Sequence, residues 1–311
     1  MPIAIVVHGG AGDIPQERRE AAHAGCQAAA QIGWRVLQNG GSALDAVEAA
    51  ARALEDNPLF NAGTGACLNK DGRIELDAGI MEGHTLQVGA IAGIECVKNP
   101  ITVARRVLES PHVLLISEGA QEFAQEQGIP LCEPEDLITD YQYQQWQRLL
   151  AEEEAELKAN QEPRFLRREF RTVTQPTEQH GTIGAVAIDN EGNLAAATST
   201  GGIHNKYHGR VGDSPLVGCG FYADENAAIS CTGYGEDFTR LLIAKRAADF
   251  VARGDTARTA AEAAIAFLGA KANGTGGLIV VDRLGNVGFA WNSQHMSYAY
   301  IVEGQEIPAG L

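Results

Sequence analysis

The chain has 311 residues, with 24 lysines and arginines against 40 aspartates and glutamates, giving a formal charge of −16 at pH 7. A chain this acidic lacks the basic face that phosphate attraction and counterion release require, so no nucleic-acid partner is expected. Its composition, 45% hydrophobic and 21% charged, is that of a globular protein, and no apolar run approaches the ~18 residues of a membrane span, so no membrane partner is expected either. The length allows about two units of ~150 residues or one large layered domain. Residues 1–7 carry no basic stretch and run straight into His8-Gly9-Gly10, so no signal peptide is expected. Six scattered cysteines without a CxxC spacing point to reduced thiols and a cytoplasmic location. Thirty-six glycines are the outlier, roughly 12% against a usual ~7%. They cluster in loops.

Taken in chain order, residues 3–7 form a short apolar run of the kind buried on both faces of a sheet. An alanine-rich helix is predicted over 16–38, stopped by Asn39-Gly40-Gly41. Ser42, with Asp45 three residues later, opens a second helix to about Asp56, and Asn57-Pro58 ends it. Glycine-punctuated strands are expected over 73–77, 85–88 and 91–97, then helices over 101–109 and 119–127 flanking a strand at 113–116. Residues 141–179 change character, polar and charged first and then arginine-rich without an apolar period, and read as a flexible linker whose first part could be a solvated helix. Beyond it, strands are predicted over 183–188 and 194–198, joined by a turn. Further strands follow at 218–223, 227–232, 276–281 and 287–291, with helices over 236–252 and 256–268 between them. The whole chain, residues 1–311, reads as one α+β domain.

The junction His180-Gly181-Thr182 places a threonine at the mouth of an apolar strand, directly after the linker. A cut before Thr182 would give it a free α-amine with a pKa near ~7.7–8.0, able to take the proton of its own hydroxyl at neutral pH. Gly181, lacking a Cβ, could adopt strained angles and leave its carbonyl open to that hydroxyl. The same residues also fit an ordinary threonine at a strand start. Arg210 and Asp213 sit in a glycine-flanked loop and could grip the carboxylate and ammonium of a free amino-acid head, though they equally fit a surface ion pair. His204 and His208 have a zinc-like spacing, but flanking glycines argue against a helix and no third ligand is near.

Several stretches together decide between these alternatives. Val7-His8-Gly9-Gly10-Ala11-Gly12, Asn57-Pro58-Leu59-Phe60-Asn61-Ala62-Gly63-Thr64-Gly65, Gly181-Thr182-Ile183-Gly184-Ala185-Val186-Ala187, Ala197-Thr198-Ser199-Thr200-Gly201-Gly202, Gly209-Arg210-Val211-Gly212-Asp213-Ser214-Pro215 and Cys231-Thr232-Gly233-Tyr234-Gly235-Glu236 resemble, in order and spacing, the isoaspartyl peptidase and plant-type L-asparaginase family of N-terminal-nucleophile hydrolases. The resemblance implies a four-layer αββα sandwich. It implies self-cleavage between Gly181 and Thr182 into an α chain, 1–181, and a β chain, 182–311. It implies hydrolysis of L-asparagine and β-aspartyl dipeptides, and a dimer of αβ heterodimers. On the matching positions, Thr182 would be the nucleophile, Thr200 its neighbour, Thr232 and Gly233 the oxyanion hole and Asn61 a positioning residue. Arg210, Asp213, Thr232, Gly233 and Gly235 would bind substrate. The main-chain carbonyls of Leu54, Glu55, Asn57, Phe60, Ala62 and Thr64 would hold a structural sodium ion, and no organic cofactor is implied. A glycosylasparaginase is a rival, but Gly181 stands where that family has aspartate. A silent amino-acid-binding protein is another, and it would have no use for three threonines at Thr182, Thr200 and Thr232.

Overall fold

The computed structural model describes residues 1–158 and 181–304. Strand β1 (Ala4–Gly12) is buried along all but its last residue. Its neighbours along the chain serve different cores: Ile5 and Val7 pack in one apolar cluster, Ala4 and Val6 in another. A strand alternates its side chains between faces, so a run apolar at every position is what burial on both faces requires. Helices α1 (Gln16–Gln38) and α2 (Ala43–Glu55) follow, and Ser42 Oγ accepts from the Asp45 N–H at 3.1 Å to cap α2. Gly33 lets α1 press against the sheet and α2, since a Cβ there would lie 2.2 Å from Ile5 and 2.8 Å from the Ala46 carbonyl.

Next come β2 (Leu76–Glu82), β3 (Val88–Ile94), α3 (Pro100–Leu108), β4 (Leu114–Ile116), α4 (Ser117–Glu126) and α5 (Asp140–Lys158). After the undescribed stretch come β5 (Ile183–Ile188), β6 (Leu194–Thr200), β7 (Phe221–Ala223) and β8 (Ala227–Gly233). They lead to helices α6 (Gly235–Leu241), α7 (Ile243–Ala252) and α8 (Ala257–Ala272), and the described chain closes with β9 (Gly276–Asp282), β10 (Val287–Trp291) and β11 (His295–Val302). Two sheets result, one of seven strands in the order β11-β1-β5-β6-β2-β3-β4, the other of four in the order β10-β9-β8-β7. The fold is mixed α and β, with both sheets served by three cores. The first joins α1, α2 and α3 residues to strand residues such as Ile80, Ile91 and Ala185. The second gathers Val186, Phe221, Ile279 and Tyr298 from both sheets, and the third sets Leu278 and Val280 against Phe238, Ala247 and Ile265.

Four expectations change. Residues 140–158, read as the start of a linker, are helix α5 with Gln142 buried, because one face meets protein rather than water; the rest of that stretch, to 179, lies outside the described residues. The helix expected over 236–252 breaks at Leu242, which takes a left-handed φ of 52°. The strands expected at 85–88 and 91–97 are one, β3, and β2 runs later than expected because Leu76–Glu82 is the stretch that pairs with both β3 and β6. Strand β11 is an addition to the expected elements, with Met296, Tyr298, Tyr300 and Val302 on the face turned to the second core.

Candidate active site

Thr182 directly precedes β5, and β5 pairs with β6 so that Ile183 faces Ser199. That register puts Thr182 beside Thr200, and the Thr182 hydroxyl donates to Thr200 Oγ1 at 3.2 Å in a buried corner. Thr200 Oγ1 also accepts from the Gly202 N–H at 2.9 Å. Asn61 braces the same turn: its Nδ2 donates to Gly202 O at 2.7 Å, and its Oδ1 accepts from the Cys67 N–H at 2.8 Å. Gly181 packs over Asn61, and a Cβ on it would lie 2.6 Å from Asn61 Cβ. Gly181 has no positive φ, so the requirement for glycine there is room rather than the strained backbone the sequence suggested.

Across from this corner, the end of β8 brings Thr232 and Gly233. Thr232 Oγ1 accepts from the Ala11 N–H at 3.1 Å, which leaves its own proton free to donate elsewhere. A Cβ on Gly233 would sit 2.5 Å from the Phe238 ring and 2.6 Å from Thr275 O, so no larger residue fits. Beneath lies a chain of neutral groups the sequence did not flag. His8 Nε2 is 2.9 Å from Ser230 Oγ, and Ser230 shares a 2.7 Å hydrogen bond with Thr198. Burial drives the His8 pKa down to about 3, only partly offset by the Thr182 backbone beside it. His8 is therefore a neutral imidazole at physiological pH. The only prior signal for it was its place before Gly9-Gly10.

The loop side is charged. Arg210 donates through Nε and Nη2 to both carboxylate oxygens of Glu236, at 2.9 and 2.6 Å. Burial disfavours the Arg210 charge, and Glu236 more than compensates, so the pKa is raised. Asp213 is fully enclosed, with Oδ2 unpartnered among the described residues, and burial lifts its pKa to about 7 against the pull of Arg210. Arg210 and Asp213 are thus neither a surface pair nor paired with each other. Glu236, unremarked in the sequence beyond its place in the last motif, is the guanidinium's partner. Gly235 makes room for Asp213, since a Cβ there would lie 2.8 Å from Oδ1. Thr182, Thr200, Gly202, Arg210, Asp213 and Gly233 line one cleft of about 230 Å³.

The two histidines have separate partners. His204 Nε2 is 2.7 Å from Gln142 Oε1, with burial pushing its pKa to about 4, and His208 Nδ1 is 3.1 Å from Glu75.

A family model described as asparaginase matches residues 1–309 of this chain. The chain belongs to that asparaginase family. Among its relatives, a plant-type L-asparaginase of Thermococcus kodakarensis is 51% identical over 98% of each chain. A plant-type L-asparaginase of Pyrococcus horikoshii is 50% identical over the same share. An isoaspartyl peptidase/L-asparaginase of Homo sapiens is 42% identical over 98% of this chain and 94% of its own. The asparaginase-family chain is an enzyme, a hydrolase, and no described helix is long and apolar enough to cross a membrane.

Proposed function

We propose that the chain cuts itself between Gly181 and Thr182 and that Thr182 then hydrolyses the β-amide of L-asparagine and of β-aspartyl dipeptides. The observation that carries this is the buried Thr182–Thr200 hydroxyl pair opening onto the Arg210 and Asp213 cleft. In maturation the Thr182 hydroxyl attacks the Gly181 carbonyl, its proton passes through Thr200 to the Thr182 nitrogen as the Gly181–Thr182 C–N bond breaks, and water splits the resulting ester into chains 1–181 and 182–311. In turnover, Arg210 holds the substrate α-carboxylate and Asp213 its α-ammonium, within reach of Gly235. Thr182 Oγ1 attacks the side-chain carbonyl and its proton passes to the Thr182 α-amine. Thr232 and the Gly233 N–H stabilise the oxyanion, while Asn61 holds the turn beside it. The amine returns the proton to the leaving nitrogen, and water resolves the acyl-enzyme.

The three cores support an αββα stack of four layers. For the loop from Leu54 to Thr64 the reading is a structural sodium ion, and glycines that pack directly on its main-chain oxygens support it. A Cβ on Gly63 would lie 2.7 Å from Glu55 O, and one on Gly65 would lie 3.0 Å from Phe60 O. Leu54, Glu55, Asn57, Phe60, Ala62 and Thr64 would offer carbonyls, which suit a hard cation, and the ion would stiffen the loop that carries Asn61. Val113, Leu114 and Ile116 are exposed around edge strand β4 and support assembly of αβ units into a dimer. Six free cysteines support a cytoplasmic setting.

The test is a denaturing gel and N-terminal sequencing of purified protein, followed by assay of L-asparagine, β-Asp-Leu and a glycosylated asparagine. Two bands with Thr182 as the new N-terminus and turnover of the first two substrates are expected; one band without turnover sinks the proposal.

A further inference from the structure

A second and larger cavity lies on the other side of the scissile bond. It is open to solvent, and the space between its walls, solvent included, is about 560 Å³ against about 230 Å³ for the cleft. Thr182 is in the wall of the Arg210 and Asp213 cleft; Gly181 is in the wall of this one. The two spaces therefore flank the Gly181–Thr182 bond.

The chemistry proposed above, on which this inference rests, gives the second space a use. When the substrate C–N bond breaks, the amine leaves with a proton from the Thr182 nitrogen, and water supplies the hydroxyl that frees the aspartate. That nitrogen is the atom bonded to Gly181 before maturation, so the leaving amine departs on the Gly181 side. For L-asparagine it is ammonia and needs no room. For a β-aspartyl dipeptide it is an amino acid, with a side chain and a carboxylate of its own.

The wall has a counterpart for each. Ile14, Ala22, Leu59 and Phe60 supply apolar surface, and Arg18 supplies charge. Arg18 Nη2 donates to Leu59 O at 3.0 Å and its guanidinium lies 3.9 Å from the Tyr141 ring centroid, which leaves most of its donors unused. Among the described residues no carboxylate is within ion-pair distance of it; Asp13, in the same wall, is 3.9 Å from His295 instead. We propose that this cavity is the subsite for the leaving amino acid of β-aspartyl dipeptides, with Arg18 pairing with its α-carboxylate and the apolar wall receiving a large aliphatic side chain. Recognition of a free carboxylate one residue beyond the β-linkage selects dipeptides over longer chains.

The experiment compares β-Asp-Leu, its C-terminal amide and L-asparagine on matured wild type, Arg18→Ala and Arg18→Gln. Wild type should prefer the acid over the amide by about ten-fold or more in kcat/KM, as expected for a charge-assisted pair. Both variants should lose that preference through KM, with L-asparagine kinetics within about two-fold of wild type. Equal losses on all three substrates would mean that Arg18 only braces the fold. A wild type indifferent to acid or amide would mean that Arg18 serves another group, such as the new carboxylate of Gly181. Either result overturns the inference, as does a wild type that cleaves L-asparagine but not β-Asp-Leu, which leaves the hydrolase itself standing. A matured protein that cleaves none of the three overturns the proposed activity.

Discussion

The two sides of Thr182 are built differently. On the strand side, Thr182, Thr200, Thr232, His8, Ser230 and Thr198 come from β1, β6, β8 and the start of β5 and meet as neutral hydroxyls and one neutral imidazole. Sheet register places them, and each is held by a hydrogen bond between elements. On the loop side, Arg210, Asp213 and Glu236 carry charge, and glycines at 212 and 235 let the backbone close around them. Neutral groups lose little by deep burial once hydrogen-bonded, so a nucleophile can be fixed there at small cost. Charges buried without a full set of partners are held at higher energy, and Asp213, with Oδ2 free, is the one that a substrate ammonium would relieve. The strand side suits bond making; the loop side suits recognition.

The largest test of that division is Thr182→Ala. It should remain one chain and lose turnover by ~10⁴-fold or more, since both steps need the same hydroxyl. A denaturing gel and an asparagine assay read both, and an active single-chain variant would remove the strand side from the chemistry altogether. Arg210→Ala should divide the two sides. Self-cleavage acts on the chain's own backbone and involves no head group, so the variant should mature. Its kcat/KM should fall roughly ten-fold to a hundred-fold, and Arg210→Lys should recover part, because an ammonium cannot make the two parallel bonds. If Arg210→Ala matures and keeps wild-type kinetics, the loop side is not the recognition side.

Acidity separates the sides in opposite directions. Asp213, raised to about 7 mainly by burial, with Glu236 and Asp77 raising it further, must be ionised to hold an ammonium. The kcat/KM profile should therefore fall below about pH 7, and Asp213→Asn should abolish that limb with most of the activity. Ionising this buried carboxyl opposes folding: its stability contribution is complete at low pH and lost as pH rises through about 7, so Asp213→Asn should raise Tm at pH 8. His8 has the reverse sign. Its pKa is depressed to about 3, so its contribution is present above ~6.5 and lost as pH falls from there toward 3. His8→Gln should flatten Tm over that acid range. A Tm profile unchanged by either substitution would remove the contrast.

Much of this was legible in the sequence, for identifiable reasons. A strand buried on both faces announces itself as an unbroken apolar run, so β5 was expected over its observed bounds, as were the half-buried β10 and α1 with its glycine stop. The pattern of glycines pointed to the loops that converge on Thr182. Partners were not legible. Nothing local says that Glu236 takes Arg210, 26 positions away, or that His8 sits over Ser230, 222 positions away, because both pairs meet only through the fold. Nor could composition distinguish α5 from a tether, since its mostly polar surface hides a few buried contacts.

Those contacts make α5 the brace between the two sides, and they yield the smallest predicted effect. The Gln142 side chain is buried; its Nε2 donates to Gly65 O at 2.7 Å and its Oε1 accepts from neutral His204 at 2.7 Å. Gly65 closes the loop that carries Asn61, and His204 belongs to the loop that leads to Arg210. Farther along, Asn205 Nδ2 donates to Glu153 at 2.9 Å, and Trp146 packs against Gly72. Gln142→Ala would leave a buried carbonyl and a buried imidazole unpartnered, at roughly 1–3 kcal/mol. Neither loop touches the Thr182–Thr200 bond through Gln142, so maturation should persist and kcat/KM should drop only a few-fold, equally for L-asparagine and β-Asp-Leu. Gln142→Glu keeps the acceptor for His204 but cannot donate to Gly65, and should recover part of the lost Tm. Trimming within 159–179 removes none of these contacts and should leave activity within a few-fold and Tm nearly unchanged. Calorimetry with the two-substrate assay reads each variant. A Gln142→Ala protein as stable as wild type would show that α5 merely rides on the surface, and that the two sides of Thr182 hold their geometry without it.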